Sequence, residues 1–187
     1  MMGTYDLVLH VCCAPCSAAI LEKLLHEGVR PLVYFFNPNI HPEKEYERRL
    51  EEVRRYVKSL QLEMQEGVYD YKGWFQSMQG LENEPERGER CRRCIVLRLE
   101  QTARLAAEAG CLTFATSLAS SRWKSLEQIT YAGQEAEKKY PGTLFLNRNW
   151  RRGGLSERRR ELITTWGFYN QSFCGCIYSQ LPTARRL

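Results

Sequence analysis

The sequence predicts an α/β fold, a parallel sheet covered by helices on both faces. Two observations predict it. Short apolar runs of strand length alternate along the chain with helical periodicities of ten or more residues. No repeat, linker or low-complexity segment interrupts that alternation, so residues 1–187 read as one domain. At this length, with 43% hydrophobic residues, one core can bury roughly 70% of the unfolded surface.

The elements follow in order. "YDLVLHV" reads as a buried strand, and "SAAILEKLLHEG" as a helix with Ile20, Leu21, Leu24 and Leu25 inward and Gly28 as its stop. "PLVYFF" is a second strand. After Pro42, "EKEYERRLEEVRRYVKSL" is a charged helix with Tyr46, Leu50, Val53 and Val57 on its apolar stripe. "LEMQEG" is a weaker strand. Residues 68–89 are irregular, with a short helix at "YKGWFQSM". "RCRRCIVLRLEQTARLAAEAG" is the clearest helix, then "CLTFATS" a strand, "LEQITYAGQEAEKKY" a helix, "TLFLN" a strand and "SERRRELITTWG" a last helix before a turn-like end.

A formal charge of +5, from 27 basic and 22 acidic residues, biases the protein mildly toward anionic partners. No apolar stretch approaches a membrane span, and "MMGTYDLVLHV" lacks the marks of a signal peptide. The expectation is a cytoplasmic protein without membrane contact, where clustered thiols serve as metal ligands or redox groups rather than as staples.

Cys111 stands alone in a predicted strand and reads as a small buried apolar residue. The other seven cysteines form three clusters. Cys12, Cys13 and Cys16 lie between strand one and helix one, where sheet ligands collect and a helix N-terminus favours thiolates. Cys91 and Cys94 share one helix face, a turn apart. Two such pairs supply four soft ligands for zinc or an iron–sulfur cluster. Cys174 and Cys176 flank one glycine, and can close a strained, reducible disulfide or complete the metal site.

The segments "HVCCAPCS", "FFNPNIHPEKEYERRLEE", "LENEPERGERCRRCIVLRLEQTA", "TSLASS" and "YNQSFCGCIYSQ", in this order, resemble the QueH family of cobalamin-independent epoxyqueuosine reductases. The resemblance spans about residues 7–179. It implies a three-layer Rossmannoid sandwich of the adenine-nucleotide α-hydrolase-like (HUP) group. It also implies deoxygenation of epoxyqueuosine in the anticodon of tRNA to queuosine. It further implies a [4Fe–4S] cluster on Cys12, Cys13, Cys91 and Cys94, and a redox pair at Cys174 and Cys176. Cys16 matches a position held by Cys or Asp in the family, either able to bind an additional mononuclear iron. Two departures stand out: Ile95 where the family usually has Tyr, and Asn149-Trp150-Arg151 in place of Asp-Phe-Arg.

Several polar residues are candidates around this chemistry. Asn37, Asn39 and His41 of "NPNIHP" either contact a nucleobase or ribose or simply shape a turn. Arg49 is a candidate for a phosphate, and Tyr46 for core or stacking. Tyr69, Tyr71 and Trp74 form an aromatic patch that either stacks a base or anchors its loop. Asp70 is the first choice as proton donor to the departing oxygen, ahead of Glu82 and Glu86, which read as caps or solvated groups. Among the arginine blocks (54–55, 92–93, 151–152, 158–160 and 185–186), Arg92 and Arg151 are the best candidates for tRNA phosphate.

The sequence thus points to a monomeric or weakly associating oxidoreductase served by an electron donor it does not identify. A thiol–disulfide oxidoreductase and an RNA-binding module, each with a structural zinc, are the rivals.

Overall fold

The structure, a computed structural model, describes residues 5–180. Its sheet consists of β1 (Leu7–Val11), β2 (Pro31–Phe35), β3 (Met64–Glu66), β4 (Thr113–Thr116) and β5 (Leu144–Phe145), all parallel in the order β3-β2-β1-β4-β5. The helices are α1 (Ala14–His26), α2 (Glu43–Ser59), α3 (Tyr71–Ser77), α4 (Glu89–Glu108), α5 (Leu126–Lys139) and α6 (Leu155–Trp166). One group, α1 with α2 and α6, packs on one face; α4 packs on β1, β4 and α5 on the other. This is the predicted three-layer α/β sandwich.

Each element forms for a local reason. β1 and β2 are buried at every position, which suits their unbroken apolar sequence. On α2 the stripe Tyr46, Arg49, Leu50, Val53, Tyr56 and Val57 is buried, and the rest of this highly charged helix faces water. α5 carries Gly133 where it crosses the sheet edge, because a Cβ there would lie 2.0 Å from the Phe145 ring. The predicted strands "LEMQEG" and "TLFLN" shrink to three and two residues, as edge positions permit. A 3₁₀ turn at Ser117–Ser120 was not expected, being too short to register as periodicity.

Strand order reverses between β1 and β4. The loops leaving their C-terminal ends meet at this switch point, the place where sheets of this kind bind ligands. "CCAPC" leaves β1 there, and "SLAS" leaves β4.

Candidate functional site: a cysteine crevice at the switch point

Two residues connect β1 to α1, and both are cysteines. Cys13 is the extended N-cap of α1, and Pro15 in the first turn lacks an N–H the helix would leave unpaired. Cys16 follows one turn on. The three sulfurs lie within 4.8 Å of one another, the tight group of potential metal ligands among the described residues. Ser117, at the end of β4, accepts the Cys12 N–H at 3.3 Å and donates to Cys12 Sγ at 3.7 Å. Gln171 Nε2 donates to Cys13 Sγ at 2.7 Å.

Below them lies the fully buried His10. Its Nε2 stands 3.1 Å from the Phe36 carbonyl and therefore carries the proton. Nδ1 accepts from the Thr116 hydroxyl at 2.8 Å, while that oxygen accepts the Leu118 N–H. Burial, and then Arg98, lowers the His10 pKa to about 4, so the ring is neutral.

The start of α4 brings the second thiol pair. Cys94 Sγ accepts from the buried Trp74 indole N–H at 3.4 Å. Arg98, one turn later and 2% exposed, donates to the Cys94 carbonyl at 3.3 Å. Its charge acts on Cys94, Cys174, Cys12 and Cys91 together.

The third cluster is a loop held from outside. Arg49 Nη1 and Nη2 donate to the carbonyls of Cys174 (3.1 Å) and Phe173 (3.3 Å), and Glu45 neutralises the guanidinium at 2.6 Å. His41 N donates to the Gly175 carbonyl at 2.8 Å. Gly175, at φ +110°, packs so that a Cβ would lie 2.9 Å from Ile40. Lys124, half-buried, reaches in and donates to Cys174 Sγ at 2.8 Å. Cys174 and Cys176 are free thiols.

Each end of the site holds one low-pKa sulfur. Hydrogen bonds from Cys13 and Cys16 hold Cys12 well below the ordinary thiol range, while burial pushes Cys13 up and the Cys12 contact pushes Cys16 up to about 12. The Cys176 thiol, then Lys124 and Arg98, lower Cys174 against burial, and Cys176 is raised in return. Burial opposes the Lys124 charge, but Cys174 and Cys91 outweigh it, so the ammonium keeps its proton.

The predicted polar candidates scatter. Asn37 ties its loop to β1 through the Val11 carbonyl at 2.9 Å; its Oδ1 and both amide atoms of Asn39 are buried without a partner. The His41 ring stacks on Tyr71 at 4.3 Å, and Tyr46 stacks on Tyr69 in the core. The aromatic patch therefore anchors its own loop, with Trp74 2% exposed.

Four candidates do other work. Arg49 is 2% exposed and holds the 173–176 loop, so it faces no phosphate. Asp70 is exposed, and its carboxylate caps α3 by accepting from Gly73 N at 2.8 Å. Arg151 is bound to the carbonyls of Ser121 and Lys124. Arg92 is exposed, paired with Glu89 at 2.7 Å. Asn149 accepts the Arg151 N–H at 3.0 Å, a role that needs an oxygen but no charge. Arg185 and Arg186 lie outside the described residues.

Sequence reasoning missed His10, Arg98, Lys124 and Gln171. His10, Arg98 and Gln171 lie inside the segments "HVCCAPCS", "LENEPERGERCRRCIVLRLEQTA" and "YNQSFCGCIYSQ", and Lys124 lies just past "TSLASS", which was their one signal. A surface depression of about 500 Å³ lies against α2 and β3, and no cysteine is among the residues that line it.

Comparison with known proteins agrees with this architecture. The model of the family described as epoxyqueuosine reductase QueH matches residues 7–181. The chain is 43% identical over 179 residues to the epoxyqueuosine reductase QueH of Acinetobacter baylyi, covering 96% of this chain and 82% of that one. It is 37% identical over 184 residues to that of Thermotoga maritima, covering 96% and 92%. A crystal structure of a predicted tRNA methyltransferase subunit from Methanocaldococcus jannaschii shares the fold, at TM-score 0.54 and 18% identity over 84% of this chain and 74% of that one. The chain belongs to the epoxyqueuosine reductase QueH family.

Proposed function

We propose that this chain, acting as one domain, reduces epoxyqueuosine in tRNA to queuosine, with Cys174 and Cys176 as its redox pair. Family membership supports the reaction, and the observation that carries the residue assignment is the Lys124–Cys174 contact of 2.8 Å. The reaction converts an epoxide to an alkene and water, consuming two electrons and two protons.

The pair and Lys124 hold what is required. Cys174 begins as a thiolate, Cys176 as a thiol and Lys124 as an ammonium. Closing the Cys174–Cys176 bond releases two electrons, Cys176 gives one proton and Lys124 the other, and the oxygen leaves as water. Net charge is unchanged. Forming the disulfide removes the anion that keeps Lys124 protonated, and burial then drives its proton toward the oxygen. An external donor returns the pair to dithiol. Asn37 and Asn39 offer their unpartnered buried amide atoms to the substrate's polar groups, since leaving such atoms unpaired costs about 1–3 kcal/mol each. The His41 loop, tied to Gly175, positions them.

Cys12, Cys13, Cys16, Cys91 and Cys94 fit a metal centre. They offer soft donors on two helix N-termini, and the buried cations Arg49 and Arg98 offset thiolate charge. Cys12, Cys13, Cys91 and Cys94 would hold a [4Fe–4S] cluster, with Cys16 beside it for an additional iron. Such a centre, when bound, supplies single electrons and Lewis acidity toward oxygen.

The test is anaerobic incubation with tRNA carrying epoxyqueuosine and a reductant, followed by nucleoside mass spectrometry and metal analysis. Loss of one oxygen from the nucleoside, with iron and sulfide in the protein, is the expected result. Cys13→Ser and Cys94→Ser should each lose the iron. Colourless, zinc-loaded protein that leaves the epoxide intact would overturn the assignment.

A further inference from the structure

We propose that Trp123, with Arg122, is a stacking platform for an unpaired RNA base adjacent to the nucleotide held at the thiols. The inference rests on the proposed tRNA substrate and adds the contact that grips it.

Residues 121–125, between the 3₁₀ turn and α5, form a surface loop whose carbonyls are nearly all taken. Arg151 donates to those of Ser121 and Lys124, the latter at 2.6 Å. Arg87 donates to those of Arg122 at 2.9 Å and Trp123 at 3.2 Å. Ser125 caps α5 by accepting from Gln128 N at 3.2 Å. Two arginines from distant segments thus fix a loop with no strand or helix of its own. Such restraint is preorganisation, which lowers the entropy lost on binding.

The fixed loop presents consecutive side chains in opposite directions. Lys124 enters the crevice and touches Cys174. Trp123 stays in water, 60% exposed, with the Arg122 guanidinium 4.8 Å from its ring centre. An indole left open on a rigid loop needs a flat partner, and the charge around it selects one. Ser121–Ser125 carries no acid; the cation beside the ring is Arg122, and Arg87 lies directly beneath. An apolar protein partner would have to bury those charges; an RNA strand neutralises them while a base covers the ring. Because the next residue reaches the reactive sulfur, a base on Trp123 neighbours the nucleotide in the site.

The test titrates the whole protein, handled anaerobically, into a labelled, unmodified anticodon stem-loop RNA. Trp123→Ala should weaken binding about 5- to 150-fold, the equivalent of one base–aromatic stack. Its salt dependence should match wild type, because no phosphate contact is lost. Trp123→Phe should keep most of the affinity but lose the quenching of tryptophan emission that RNA causes in wild type. Wild-type affinity in Trp123→Ala would overturn the platform alone. If wild type fails to bind the RNA, the tRNA substrate and the platform fall together. Self-association that disappears in Trp123→Ala, with RNA affinity unchanged, would reassign the surface to a second copy of the chain.

Discussion

Cys12 and Cys174 are both pushed toward the thiolate, but by different means. Around Cys12 the stabilising groups are two neighbouring thiols and the Ser117 hydroxyl, above a neutral histidine. Around Cys174 they are one thiol and two cations, Lys124 and Arg98, on a loop held by a third, Arg49. The first arrangement uses residues adjacent in sequence at a strand end. The second is assembled from residues 50 and 125 positions earlier in the chain. Thiolates shared among thiols suit permanent ligands, whereas a thiolate set against a proton-bearing cation suits a group that cycles.

Lys124→Met gives the largest effect that separates the two. Turnover should fall about 10²- to 10⁴-fold, the usual value of a positioned proton donor. Alkylation of Cys174 should shift to higher pH while iron content stays at the wild-type level. Loss of iron would place Lys124 with the metal centre instead. Cys174→Ser and Cys176→Ser should likewise keep iron and lose multiple turnover.

Arg49→Ala comes next. It leaves the half-buried Glu45 without its partner and frees two loop carbonyls, so urea denaturation should show a loss of about 2–4 kcal/mol. Unchanged stability would mean that the loop is held by the Gly175–His41 contact alone.

Acid should strain the Cys12 side selectively. His10 titrates at about 4 in the folded protein and near 6.5 unfolded, so between these values the unfolded chain binds more protons. Stability should therefore be full above pH 6.5 and fall by about 3 kcal/mol as pH drops to 4. The cations around Cys174 are already protonated there and add nothing. A His10→Gln variant should lose this segment of the pH profile; an identical profile would assign it to other groups.

The smallest effect is expected at the rim. Arg92→Ala removes one exposed ion pair and should lower the salt slope of tRNA binding by about one contact. Arg151→Ala, whose guanidinium is spent on loop carbonyls, should weaken tRNA binding without changing that slope.

What was legible in the sequence follows the same division. Strands, helices and the three thiol clusters are local patterns, and the structure keeps them. The 2.8 Å contact from Lys124 is long-range, and no spacing announces it. Arg49 was readable in principle: it sits with Tyr46, Leu50 and Val53 on the inward stripe of α2, where a charge must be buried and paired. Asp70 was readable too, since an Asp three residues before Gly73 at a helix start is a capping residue before it is an acid catalyst. Gln171 offered no such sign.

The distance along the chain between Cys16 and the loop bearing Gly175 sets an order of assembly. At ribosomal speeds of roughly 5–20 residues per second, about 8–30 s separate the emergence of these segments. Until Gly175 settles against Ile40, the first three thiols stand without the loop that faces them. Closure of the site is thereby deferred until nearly all of this sequence has left the ribosome, and a nascent chain stalled before Phe173 should have its early thiols open to alkylation and lack the redox pair.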